Sequence, residues 1–336
     1  MNLPELAQLE RLIASAGGEL EVRIECTVRH EGQELPVYVL ALGTPAPEAP
    51  AVGFFGGVHG LERIGTRVVI AFLHNLVARL RWDAALHGLL ARVRVVCMPL
   101  VNPGGMARGT RANPAGVDLM RNAPVEAADP VPFLVGGHRI SAGLPWYRGR
   151  ADAPMEPESR ALCAAVQREL HRRPFSIALD CHSGFGMRDR LWFPYAHRRQ
   201  PMPQLAQLHA LQEIFRESQP FHPYEFEPQS RQYLAHGDLW DHLHRCAPDG
   251  LGEVFLPLTL EMGSWLWVKK NPRQVFRRDG IFNPLIEHRE HRVLRRHVPL
   301  LEFMLRAAAG YRGWLPDGPA LEAHQRQALA RWYGVR

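Results

Sequence analysis

Four side chains in this 336-residue chain are of types that could share one hydrolytic centre: His59, Glu62, His182 and Glu261. His59 and Glu62 stand three residues apart in GGVHGLERIG, where the apolar run AVGFFGG gives way to a helical pattern. A histidine in that turn and a glutamate in the first helical turn can face one point in space. Zinc takes imidazole nitrogen and carboxylate oxygen at about 2.0–2.2 Å, and a catalytic site keeps three protein ligands and a place for water. The spacing alone is weak evidence. With 17 histidines and 34 acidic residues, counting matches to the template gives about 1.7 such pairs by chance. His222 and Glu225 form one, with Pro223 between them and no strand-to-helix junction.

The elements around these residues carry more weight than the spacing. Ile64, Val68, Val69, Phe72 and Val77 recur at roughly the helical period, as in a helix packed on a sheet. A second apolar run, RVRVVCMPL, leads into VNPGGMARGTRANPAGVDLMRNAP. A third, PFSIALDCHSGFG, delivers His182 to a glycine-rich turn, and a fourth, EVFLPLTLEMGS, ends at Glu261. Each polar residue sits where a strand pattern stops. Ligand sites in open α/β sheets lie at the carboxyl ends of strands, so residues some 200 positions apart can converge there.

In this order and spacing, residues 50 to 265 resemble the zinc carboxypeptidase family, the carboxypeptidase A-like metallopeptidases. The resemblance implies a mixed, largely parallel β-sheet flanked by helices in a three-layer α/β sandwich. It implies one zinc ion per chain, held by His59, Glu62 and His182, with Glu261 as general base. By the same match, Arg108 in RGTR is the arginine that polarises the scissile carbonyl. Arg121 in GVDLMRN grips the substrate's terminal carboxylate, and Tyr233 in QYLAHGDLWD is the substrate-capping tyrosine. One position departs from the pattern. The family has asparagine immediately before the carboxylate-binding arginine, and this chain has Met120, whose thioether is only a weak acceptor.

Residue chemistry supports the same roles. Bound zinc lowers the pKa of water to about 7, and a neighbouring carboxylate such as Glu261 can take the proton and later return it to the leaving amine. A fixed cation stabilises the charge developing on the carbonyl; loss of one such donor costs about 100- to 1000-fold. Asp118 suits a supporting place, because zinc-bound histidines donate their second N–H to a carboxylate. Asp180 is open between such a role and a purely structural one. Arg111 is either a second cation of the site or a solvated loop charge. An acid closing the apolar run VFLPLTL, as Glu261 does, needs a partner or a function.

These features predict a zinc-dependent hydrolase of amide bonds, first a metallocarboxypeptidase acting on short peptides. The alternative, prompted by Met120, is a deacylase of N-acyl amino acids, of the succinylglutamate desuccinylase or aspartoacylase kind. A silent relative that only binds peptide or metal is the third reading, and retention of Glu261 argues against it.

Composition fits one globular enzyme, with 46% hydrophobic and 22% charged residues. A single catalytic domain is expected over residues 1–310, with a helical tail over 311–336. Residues 1–45 read as a helix from Pro4 to Ser15 and an edge hairpin turning at Glu31–Gly32. Further helices are expected at about 157–172, 203–217, 238–245 and 285–308. The Pro- and Gly-rich stretch from Pro124 to Pro157 reads as a long loop at the rim of the site. The net charge of +6 raises the question of nucleic acid, but the cations spread along the chain without a nucleic-acid motif. Lys269 and Lys270 are the only lysines among 40 basic residues, and the densest basic stretch, His288–His297, alternates with Glu290 and apolar residues, as the solvated face of a helix would. Five scattered cysteines without a CxxC pair indicate neither disulfides nor a cysteine-metal site. The opening residues lack a signal pattern, and no run has the 18 or so apolar residues a membrane span needs. A cytoplasmic enzyme is expected.

Overall fold

The apolar runs picked out in the sequence become the middle of one eight-stranded sheet in a computed structural model that describes residues 3–248 and 253–335. Helix α1 (Pro4–Ala16) precedes the hairpin of β1 (Glu21–His30) and β2 (Gln33–Gly43). Glu31 and Gly32 both take left-handed φ, at 48° and 76°, as a two-residue turn matching the strand twist requires. Then come β3 (Ala51–Gly56), α2 (Arg63–Arg79), α3 (Ala84–Leu90), β4 (Arg94–Met98) and α4 (Pro103–Arg108). After a long loop follow α5 (Pro157–Glu169), β5 (Phe175–Ser183), β6 (Arg190–Phe193), α6 (Leu205–Ser218), β7 (Glu225–Pro228) and α7 (Leu239–Cys246). The chain closes with β8 (Val254–Met262), α8 (Trp265–Lys270), α9 (Glu287–Ala309) and α10 (Gly318–Ala328). The expected helices are all present, with ends shifted by at most three residues.

Across the sheet the order is β1-β2-β4-β3-β5-β8-β6-β7. The four central strands β4, β3, β5 and β8 run parallel, while β2 and β6 join them antiparallel. The fold is thus the expected mixed, largely parallel sandwich. Strand alternation assigns the faces. Val52, Phe54, Ile177, Leu179, Leu256, Leu258 and Leu260 point into a core built with α2, α6 and α9. Phe55, Ala178 and Phe255 point the other way, toward α4, α5 and α7.

That parity decides where the polar residues go. Asp180 and His182 share the face of Ala178, and Thr259 and Glu261 share the face of Phe255. Because β5 and β8 run in parallel register, His182 stands opposite Glu261 at their carboxyl ends. The C-terminal tail is drawn into the main core: Ala328 and Trp332 are buried there, and the Trp332 indole donates to the Phe226 carbonyl at 2.8 Å. No helix is long and apolar enough to cross a membrane among the described residues.

Candidate metal centre and active site

The turn after β3 brings His59 and Glu62 to the strand ends. Gly65 lets α2 approach β5 closely: a Cβ there would lie 2.1 Å from the Cys181 carbonyl oxygen. Glu62 is the residue at the N-terminus of α2, yet its side chain does not cap the helix. Asn283 takes that task from 219 residues away. Its Oδ1 accepts from Ile64 N at 3.0 Å and its Nδ2 donates to the Leu61 carbonyl at 2.8 Å. The Glu62 carboxylate is left free to face the centre.

Three side chains meet there. The ligand atoms of His59, Glu62 and His182 all lie within 4.8 Å of one another. His59 Nδ1 is 2.8 Å from Glu62 Oε1 and 3.2 Å from His182 Nδ1, which is 3.1 Å from Glu62 Oε2. Each ring turns its other nitrogen to a carboxylate: His59 Nε2 to Asp118 Oδ1 at 3.1 Å, His182 Nε2 to Asp180 Oδ2 at 2.7 Å. Those carboxylates fix the tautomer, leaving both Nδ1 lone pairs directed at each other and at Glu62. Such a cluster repels itself unless a proton or a metal ion sits among its atoms, and two imidazole nitrogens with one carboxylate are a donor set that fits zinc. Asp180 is held in turn by the Trp240 indole at 2.9 Å.

The same contacts set the charges. Burial opposes ionisation of Glu62, but His59 and His182 outweigh it and hold this carboxyl below the usual range. Burial likewise disfavours a charged His182, yet Asp180 and Glu62 keep its imidazole well above its ordinary value. Asp118, also buried, is held well below the carboxylate range by Arg111 and His59. Glu261 goes the other way. Burial and the nearby Glu62 charge push it up to about 8, and its one hydrogen bond among the described residues is accepted from Phe185 N at 2.9 Å. A dication among the ligands would draw that value down again.

The arginines separate into site and surface. Arg111 donates through Nε to Asp118 Oδ2 at 2.7 Å and lies 3.4 Å from Glu62 Oε1. Arg108, at the C-terminus of α4, is exposed and donates to the Pro114 carbonyl at 2.7 Å. It does not line the cleft, whereas Arg111 does. The structure therefore does not bring Arg108, the arginine expected at the substrate carbonyl, to the cleft; of the two it is Arg111 that faces the candidate metal centre. Three residues of extra chain past the helix end make the difference. Arg121 is 2% exposed, with Nη2 donating to the Tyr233 hydroxyl at 3.3 Å and Nη1 3.9 Å from Asp238 Oδ2. Its Nε is buried without a partner among the described residues. Met120 is buried against the same cleft.

The cleft encloses about 410 Å³. Beyond the residues foreseen, Trp146, Phe185, Trp192 and Phe282 line it. Trp146 comes from the long loop, in which no helix or strand forms between Asn122 and Glu156 apart from one bridge, His138 to Tyr147. Tyr147 O accepts from Asp118 N at 2.8 Å, so the rim is fastened to the site itself. The part played by Asp180 was readable: it lies two residues before His182 on a strand and so shares its face. Trp240 and Asn283 had no signal in the sequence, since both arrive through tertiary packing.

Residues 27–242 match the family described as zinc carboxypeptidase, peptidase M14. A 147-residue stretch is 25% identical to carboxypeptidase D of Anas platyrhynchos, covering 41% of this chain and 9% of that protein. The chain therefore spans only a small part of that curated relative. Among solved structures, carboxypeptidase A from Helicoverpa armigera superposes with a TM-score of 0.66 at 18% identity, over 90% of this chain and 71% of the other. Bovine thrombin-activatable fibrinolysis inhibitor gives 0.65 at 17% identity, over 91% and 95%. With the matched segment spanning well over half of its length and the fold agreeing, the chain belongs to the zinc carboxypeptidase family.

Proposed function

We propose that this protein is a metallocarboxypeptidase that releases C-terminal residues from short peptides. One observation carries the proposal: two imidazole Nδ1 atoms and a carboxylate converge, each ring anchored from behind by an acid, beside a fourth, separately held carboxylate. Bound to His59, Glu62 and His182, zinc would supply an acidified water and a Lewis acid for the carbonyl oxygen. Glu261, raised by its burial, is the group suited to accept the proton of the attacking water and deliver it to the departing amine. Arg111 faces the same centre and would stabilise the negative charge that grows on the carbonyl oxygen. Asp118 keeps both His59 and Arg111 in position.

The terminal carboxylate would be held by Arg121, whose unpaired, buried Nε needs an acceptor, together with the Tyr233 hydroxyl. A guanidinium pairs well with a carboxylate in bidentate fashion. Deacylation of N-acyl amino acids could use the same centre, but Met120 is the one residue that prompts it. The two readings part in a single assay. Zinc-loaded protein is offered matched peptides ending in a free acid or an amide, and N-acetyl amino acids. Faster cleavage of the free-acid peptides is expected, and preferential hydrolysis of the N-acetyl amino acids would replace this reading with the deacylase one.

A further inference from the structure

A second cleft, about 570 Å³ and larger than the catalytic one, opens between α9, α8 and the β6–β7 edge. Five permanent cations line it: Arg188, Lys270, Arg289, Arg292 and Arg296. Only two carboxylates face them, Asp189 and Glu225, and both are already engaged. Asp189 pairs with Arg296 at 2.5 Å and accepts from Gly263 N at 2.9 Å. Glu225 pairs with Arg188 at 2.5 Å and with Arg190 at 3.0 Å. Lys270 and Arg292 have no side-chain hydrogen bond or ion pair among the described residues, and Arg289 donates only to the Lys270 carbonyl, at 3.3 Å. Arg289 Nη1 is a buried donor without an acceptor among the described residues.

This surplus differs from the solvated helix face expected of the 288–297 stretch. Arg289, Arg292 and Arg296 share one side of α9 at helical spacing, and Lys270 faces them from α8. Like charges gathered around a cavity raise its potential and its hold on a counter-ion, and a buried donor without an acceptor calls for one from outside the chain. The walls between the cations are apolar and aromatic, with Tyr224, Trp267 and Val293 largely buried. Such a volume and a mixed lining are those of a small-molecule site.

We propose that this cleft binds a small organic polyanion, a carbon skeleton carrying two or more phosphate or carboxylate groups. The skeleton lies against Tyr224 and Trp267, and the anionic groups meet Lys270, Arg289 and Arg292. Guanidinium forks favour phosphate and carboxylate oxygens over a single point charge. The site is separate from the hydrolytic centre and does not depend on the peptidase reading.

Isothermal titration of the zinc-loaded full chain with fructose 1,6-bisphosphate, ADP and citrate as separate probes tests it. At least one probe should bind saturably, one per chain, and the strongest identifies whether phosphate or carboxylate is preferred. Lys270→Ala/Arg292→Ala, a double change at exposed positions, should weaken binding by about tenfold or more. Arg121→Ala, in the catalytic cleft, should leave it unchanged, and Glu261→Gln should bind equally well whether or not it hydrolyses peptides. Saturation by none of the probes up to about 5 mM, weaker than any specific site of this kind, would overturn the proposal. So would equal affinity in the double variant, or loss of binding in Arg121→Ala.

Discussion

Glu62, at the turn into α2, and Glu261, at the end of β8, are both almost fully buried, at 2% and 7% exposure, and both face the same centre. Their charges are nevertheless set in opposite directions. Glu62 has two imidazoles beside it, accepts from Ser183 N at 2.9 Å and has Arg111 within ion-pair distance, and its carboxyl is held low. Glu261 has one backbone N–H and a repelling neighbour in Glu62, and is pushed up to about 8. Burial is common to both, so the partners decide. One carboxylate is kept charged, as a metal ligand must be, and the other is kept ready to exchange a proton.

Separating the two roles by substitution gives the largest expected effect on turnover. Glu261→Gln preserves shape and zinc content but removes the proton acceptor, and kcat should fall by about 100- to 10,000-fold. A near-wild-type kcat would place the base elsewhere and dissolve the contrast with Glu62. Next come the arginines that read out the two regions. Arg111→Ala should lower kcat/KM by about 100- to 1000-fold, while Arg108→Ala, on the surface, should change it by no more than about twofold. If Arg108 proves the more damaging, its contact with Pro114 does not describe its working position.

A smaller effect is expected at the carboxylate anchor. Arg121→Ala should erase the preference for free-acid over amidated peptides. Met120→Asn should lower KM for the free acids by a few-fold, in line with one added hydrogen bond of about 1 kcal/mol. An unchanged preference in Arg121→Ala would remove this arginine from the substrate site.

The same rule of partners governs a histidine far from the centre. His297 is as buried as His182, but there burial prevails: Asp189 offsets it only in part, Arg296 and His222 add to it, and the pKa drops to about 4. The unfolded chain takes up that proton near pH 6.5, the folded one only near 4, so its contribution to stability is complete above 6.5 and is lost as pH falls toward 4. The loss is on the order of 3 kcal/mol. Urea unfolding of zinc-free protein between pH 7 and 4 should show a shallower decline in His297→Gln than in the wild type. Parallel declines would mean that His297 does not titrate in this window.

The central strands, the longer helices and the meeting of His59, Glu62, His182 and Glu261 at the strand ends were legible in the sequence, because strand and helix periods and strand ends are local signals. The faces followed from parity: Asp180 and His182 alternate with apolar residues on β5, and Thr259 and Glu261 do so on β8. What stayed hidden was long-range. Nothing near Glu62 in the sequence announces that Asn283 caps its helix, and nothing near His182 points to Trp240 behind Asp180. Arg108 and Arg111 lie in one short segment with similar surroundings in sequence. Only the end of α4 at Gly109, with its left-handed φ of 62°, decides which of them turns inward. The stretch 288–297 read correctly as a helix, but the cleft it forms with α8 depends on packing that periodicity does not contain.

The most direct test of the central claim is zinc content, measured by elemental analysis on gel-filtered wild-type, His59→Ala, His182→Ala and Glu261→Gln proteins. The account predicts one zinc per chain in the wild type and in Glu261→Gln, and little in either histidine variant, with the fold retained by circular dichroism. Stoichiometric zinc in both histidine variants would contradict it.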